Sequence, residues 1–191
     1  MSLILASQSP RRQQLLSQMG LSFAVRVADI DETMDPALSP EDGVREISGK
    51  KACAIPAAED DVVIAADTIV VVDGSILGKP HTPEEAMQML RRLSGREHRV
   101  MTGLTVKKGE HCESCTEVTT IRFRTLSDTE IGAYVATGDP MDKAGSYGIQ
   151  GLAAIFAQSI QGDYFNVMGL PLCTLCRMLR RFGVTVLGEK G

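Results

Sequence analysis

The stretch VVIAADTIVVV, residues 62–72, constrains the fold of this chain more than any other. Apolar and β-branched residues in such density belong to a buried strand, and Asp73-Gly74 just beyond is a hairpin-turn dipeptide. The spacing predicts two strand runs over 62–78, with Asp67 at the end of the buried VVIAA segment. A carboxylate at the end of a central strand is costly without a partner or a task. It has the chemistry to hold a divalent cation or to accept a proton from water. An acid that merely turns the chain into a loop would look the same.

Around this run, helical and strand patterns alternate. LILA at 3–6 reads as a short buried strand. Ser9 suits a helix cap, and Pro10 the first position of a helix running to about Gly20. SFAVRVA at 22–28 alternates like a strand, and the acidic stretch 29–42 reads as a loop. A helix is predicted from about Ser39-Pro40, and another after the Thr82 cap. Residues 98–109 and 113–126 are β-rich and fit a hairpin. Ser127-x-x-Glu130 is a capping box for a helix ending near Gly138. A Gly-rich stretch, then a strand, a turn and a helix, close the chain. The expected class is α/β: a mixed, twisted sheet flanked by helices. Residues 1–191 are expected to form a single domain of two lobes around a central cleft that holds the active site.

Composition excludes several classes of function. Aromatics are 4% with no Trp, which argues against a stacking platform for single-stranded nucleic acid. The net charge of −4 gives no global pull towards nucleic acid or an anionic membrane, so any anion site is local. The N-terminus enters strand-like sequence directly, without a basic region or a long apolar stretch. The expectation is a soluble, cytoplasmic protein with neither a nucleic-acid polymer nor a membrane as partner. Five cysteines include two C-x-x-C pairs, Cys112 with Cys115 and Cys173 with Cys176. Such spacing can hold zinc. Here one pair falls on a helix after Pro171 and the other in a polar hairpin, which favours ordinary thiols.

Two adjacent arginines in SQSPRR, residues 7–12, are the second constraint. A helix N-terminus carries partial positive charge, so cations there need something negative. A strand, a tight turn and a helix start present backbone N–H groups to an anion. Ser7 and Ser9 add hydroxyls, and Arg11 and Arg12 add planar donors that match phosphate oxygens. Lys51 on the second helix and Lys79, held between Gly78 and Pro80, are further cations. Asp31 and Glu32 offer paired loop carboxylates of the kind that binds Mg²⁺ or Mn²⁺. In DKAGSYGIQG, residues 142–151, glycines allow close backbone approach, and the Gln150 amide can both donate to and accept from a base edge. Each of these residues also has an ordinary structural reading. The loop fits neither the Walker pattern nor a dinucleotide fingerprint, and there is no nucleophile elbow.

Taken in order, ILASxSPRRxxLL at 4–16, DIDE at 29–32, Lys51-Ala52, AADTIV at 65–70, GKP at 78–80, SGxxHxVxTG at 94–103, DKAGSYGIQG and GDYFNVMGLPL at 162–172 resemble the Maf family of nucleotide pyrophosphatases. The resemblance spans nearly the whole chain. It implies a homodimer with a fold related to inosine triphosphate pyrophosphatases. It also implies cleavage of a nucleoside triphosphate to monophosphate and pyrophosphate, with a divalent cation, Mg²⁺ or Mn²⁺, held by Asp67 and Glu32. Ser7, Arg11, Arg12, Lys51 and Lys79 would neutralise the triphosphate. Asp67 would accept the proton, and Arg12, Thr68 and Gln150 would set base preference. Arg11-Arg12, Ala66-Asp67-Thr68 and Tyr147-Gly148-Ile149-Gln150 resemble the subfamily acting on dTTP and UTP. The alternatives are a 7-methyl-GTP pyrophosphatase and a non-catalytic nucleotide-binding regulator of cell division. Gly49, just before Lys50-Lys51, departs from the helix-forming residue expected there.

Overall fold

The structure is a computed structural model that describes residues 1–27 and 29–188. Its strands are β1 (Leu3–Leu5), β2 (Ala24–Val25), β3 (Val62–Val72), β4 (Ser75–Leu77), β5 (Glu97–Lys108), β6 (His111–Phe123) and β7 (Ala157–Gln161). Its α-helices are α1 (Pro10–Gln18), α2 (Pro40–Cys53), α3 (Pro83–Leu93), α4 (Asp128–Ala136), α5 (Tyr164–Val167) and α6 (Leu172–Arg181). The strands form one sheet in the order β2-β1-β3-β5-β6-β7, with β4 folded back on β3. β1 runs parallel to β2 and β3, whereas β3–β4 and β6–β7 are antiparallel. The sheet is therefore mixed, as expected.

The chain divides into two compact units. One holds residues 1–67, 102–117 and the chain from Gly169 onward; the other holds 68–101 and 118–168. The boundary between Asp67 and Thr68 falls inside β3.

In the first unit, the carboxyl end of β1 lies beside the first residues of parallel β3. Ile4 is opposite Val63, Leu5 is opposite Ile64, and the Ala6 amide donates to Ile64 at 2.7 Å. One face of this pair carries Ile4, Ala6, Val63 and Ala65, which pack with Ala52 and Ile55 into a buried cluster. Side chains alternate along a strand, so Asp67 continues the Val63–Ala65 face towards the end of α2. α2 runs unbroken through Gly49. Ser39 caps it by accepting from the Asp42 amide, and Glu41 and Asp42 at its start with Lys50 and Lys51 at its end match the helix dipole. α2 lies directly on β5. A Cβ at Gly103 would sit 2.1 Å from the Val44 carbonyl oxygen, so no side chain fits between helix and strand.

Some local expectations need correction. β3 does not end at Asp67 but continues to Val72, because Asp67 has a cationic partner that satisfies it within the strand. Of the strand expected over 22–28, whose last residue, Ala28, lies outside the described residues, Ala24–Val25 forms β2, with exposed side chains that gain nothing from a longer buried ladder. Ser9 occupies the cap position of α1 without a side-chain cap bond; Ser7 instead accepts from the Ser9 amide at 3.2 Å.

In the second unit, Thr82 caps α3, and Ser127 with Glu130 forms the full reciprocal box on α4. Each such cap contributes about 1 kcal/mol. The chain between α4 and β7 is built from three short 3-10 segments, Asp139–Asp142, Ala144–Ser146 and Leu152–Phe156.

Candidate active site

In the first unit the sequence-predicted charges converge. Lys51 reaches from the last turn of α2, and its Nζ stands 2.8 Å from Asp67 Oδ1 and 2.9 Å from Glu32 Oε2. The Lys51 and Asp67 side chains are each 14% exposed, whereas Glu32 is 58% exposed. The inner pair is thus largely desolvated, and Glu32 closes over it from a loop. Removing one member of a buried pair strands the other, which typically costs about 3–5 kcal/mol.

Arg12 enters the same neighbourhood from the first turn of α1. Its Nε donates to the Gly169 carbonyl at 2.8 Å, and its Nη1 donates to the buried Ser7 hydroxyl at 3.3 Å. These two bonds aim the guanidinium. Burial lowers its pKa first; Asp67 raises it, Arg11 lowers it again, and Glu32 raises it. Asp67, Arg11 and Glu32 therefore all lie close enough to Arg12 for it to feel their charges. Cations from two helices thus gather beside two carboxylates, a grouping suited to a ligand that carries several charges. The group gathers where β1 ends and α1 begins, beside the middle of β3 from which Asp67 projects.

The pair Asp67 and Glu32 passes a simple fit test for a hard divalent cation. Each directs a carboxylate oxygen at one cationic nitrogen, so a positive centre is already held between them, and oxygen donors are what Mg²⁺ and Mn²⁺ prefer. Asp31 has its pKa lowered first by the Thr33 side chain and then by the Thr33 amide, from which it accepts at 2.8 Å.

In the second unit, Thr68, Lys79 and Gln150 are the predicted residues. Thr68 follows Asp67 directly along β3 and is half-buried, while Lys79 and Gln150 are exposed. The GKP segment and the glycine-rich loop are tied together, because the Gly145 amide donates to the Gly78 carbonyl at 3.0 Å. Gly145 has φ +68, and a Cβ there would meet Val70 at 2.9–3.0 Å. Only glycine fits both conditions without strain. Ser146 is also left-handed at φ 62 and fully buried, with its hydroxyl on Met89 Sδ at 3.0 Å.

Sequence reasoning missed what supports this loop. His98 is buried, and its Nε2 hydrogen-bonds the Tyr147 hydroxyl at 2.8 Å. Its ring packs edge-on against Phe123 and Tyr147. Burial lowers its pKa to about 4, so the ring is neutral. Nearby, the Tyr134 hydroxyl donates to Asp139 at 2.6 Å and accepts from the Gly148 amide at 3.2 Å. Lys143 donates to Asp139 and to Asp142. The conspicuous signal was His98 inside SGxxHxVxTG, where a polar residue sits in a β-rich run. In the first unit the Gly169 carbonyl that aims Arg12 was also missed, since no side chain announces it.

No disulfide joins the five cysteines. All five are free thiols, and no cluster of three or more His, Cys, Asp or Glu among the described residues is arranged to hold a metal. No helix among the described residues is long and apolar enough to cross a membrane.

The chain is 50% identical over 188 residues to the dTTP/UTP pyrophosphatase of Symbiobacterium thermophilum, covering 96% of this chain and 95% of that one. It is 48% identical over 184 residues to the dTTP/UTP pyrophosphatase of Bacillus pumilus, at 96% and 97% coverage. For the enzyme of that name from Shigella boydii the identity is 48% over 183 residues, at 95% and 93% coverage. Among solved structures, a HAM1 protein from Coxiella burnetii is similar at 16% identity and a TM-score of 0.47, over 82% of this chain and 91% of its own. The family model for Maf-like proteins matches residues 2–182, and with relatives of this identity along almost the full length, the chain belongs to the Maf family.

Proposed function

We propose that this protein hydrolyses dTTP and UTP to the nucleoside monophosphate and pyrophosphate. The observation that carries the reading is the Lys51 ammonium shared between Asp67 and Glu32, with Arg12 aimed from the turn after β1. Relatives of about half identity named dTTP/UTP pyrophosphatase support the substrate choice.

On this reading Arg11, Arg12 and Ser7 bind phosphate oxygens of the triphosphate. Lys51 exchanges its carboxylate partners for phosphate oxygens when substrate arrives. That exchange leaves Asp67 available to orient a water and take its proton as the oxygen attacks the α-phosphorus. The bond from that phosphorus to the bridging oxygen breaks, and pyrophosphate leaves. Asp67 and Glu32 would hold a Mg²⁺ or Mn²⁺, which neutralises phosphate charge when bound. Most of the rate enhancement then comes from positioning and charge stabilisation. Lys79 adds a further cation. Thr68, Gln150 and Arg12 set the preference for a base with the O4, N3–H, O2 edge shared by uracil and thymine, which cytosine breaks with an amine at position 4. The enzyme is expected to work as a cytoplasmic homodimer, and light scattering of the purified chain should give twice the chain mass.

The test is pyrophosphate release from a panel of triphosphates with Mg²⁺ or Mn²⁺. dTTP and UTP should turn over at least tenfold faster than CTP, GTP and 7-methyl-GTP. Equal rates across the panel, or binding without release, would overturn the assignment.

A further inference from the structure

The two C-x-x-C pairs direct attention to the wrong thiols. Cys115 lies on a strand three residues from Cys112, so the two side chains take opposite faces. Cys115 Sγ instead contacts Met178 Sδ at 3.6 Å, and Cys173 Sγ accepts from Arg177 at 3.2 Å.

Cys112 meets a residue distant in sequence. α2 lies along the β5–β6 hairpin, joined by a chain of hydroxyls: Ser48 Oγ to Thr105 Oγ1 at 2.7 Å, and Thr105 Oγ1 to Ser114 Oγ at 2.8 Å. Two residues back along β6, on the same face as Ser114, stands Cys112. A little more than one turn past Ser48, at the last residue of α2, stands Cys53. Ser114 and Cys53 are both near enough to act on the Cys112 thiol. Both cysteines are exposed, so an oxidant reaches them.

We propose that Cys53 and Cys112 form a redox-modification site, closing to a reversible disulfide under peroxide. One thiolate attacks a peroxide oxygen and becomes a sulfenic acid, releasing hydroxide. The second thiol displaces hydroxide from that sulfur, and the two hydroxides leave as water with the two thiol protons. The sulfurs are oxidised and the peroxide is reduced, so two thiols and one hydrogen peroxide yield one disulfide and two waters. The bond ties the last turn of α2 to the start of β6, two residues beyond Lys51.

The experiment treats the full chain with hydrogen peroxide, alkylates the remaining thiols and maps peptides by mass spectrometry. Two of the five thiols should become unreactive, in a linked peptide containing Cys53 and Cys112, and added dithiothreitol should restore both. Cys53→Ser and Cys112→Ser should each abolish the link, whereas Cys173→Ser should retain it. The oxidised chain should melt roughly 5–15 °C higher than the reduced one. Five alkylatable thiols after peroxide, a link within either C-x-x-C pair, or a disulfide between two copies on a non-reducing gel would overturn the proposal. None of these readouts depends on nucleotide hydrolysis, so this inference and the proposed function fail separately.

Discussion

The charged cluster of the first unit and the glycine-rich loop of the second solve the problem of placement in opposite ways. In the first, the charged atoms are side-chain termini on regular elements: Lys51 on α2, Asp67 on β3, Arg12 on α1. Their positions follow from helix-on-sheet packing, and electrostatics holds them at bonding distance. In the second, backbone does the placing. Residues 143–151 have little regular structure, and their course is set by the buried His98–Tyr147 contact, the Tyr134–Asp139 bond and two consecutive left-handed residues, Gly145 and Ser146. The first region should therefore be sensitive to charge, and the second to shape and desolvation.

The sharpest way to break this contrast is Asp67→Asn. It keeps the shape and removes the charge, and kcat for dTTP should fall about 10²–10⁴-fold. Near-normal turnover would show that the charge is not the working element. Next in size is a pH effect confined to the second region. Burial holds His98 at about 4 against an ordinary 6.5, so the unfolded chain takes up the proton first. Stability from the neutral ring is whole above about 6.5 and is lost as the pH falls through about 4. Urea unfolding should show a loss on the order of 2–3 kcal/mol between pH 7 and pH 4.5, beyond that of a His98→Gln variant. A matching slope in both proteins would remove His98 from the account.

Gly145→Ala should cost about 2 kcal/mol, because it adds a left-handed non-glycine residue and a clash with Val70. The loss would appear in urea unfolding of the apo protein. Smallest is Gln150→Ala, which should leave stability unchanged and narrow the dTTP-to-CTP preference about tenfold. A preference that survives intact would move base reading to other residues.

The same division explains what could be read from sequence. Asp67, Lys51 and the two arginines stood out because a charge in an apolar run, or at the wrong end of a helix, needs a reason. The helices at Pro40, Pro83 and Asp128 were legible from their caps. That Asp67 sits within a strand, not at its end, was hidden, since the Lys51 that permits it lies sixteen residues earlier in the chain. His98 escaped notice because its partner, Tyr147, is forty-nine residues away, and no local pattern encodes such a pair. The Gly169 carbonyl was invisible in principle, since every residue has one.

Gly103 carries a consequence for the charged cluster. With hydrogen in place of a side chain, it lets the Val44 carbonyl rest against β5. The absent methyl is in effect the gauge that fixes the height of α2 above the strand. Even alanine at that position would have to raise the helix, and Lys51, carried on the same rigid rod, would be lifted away from both of its carboxylates. A residue with no functional atom of its own thereby sets the reach of one that has.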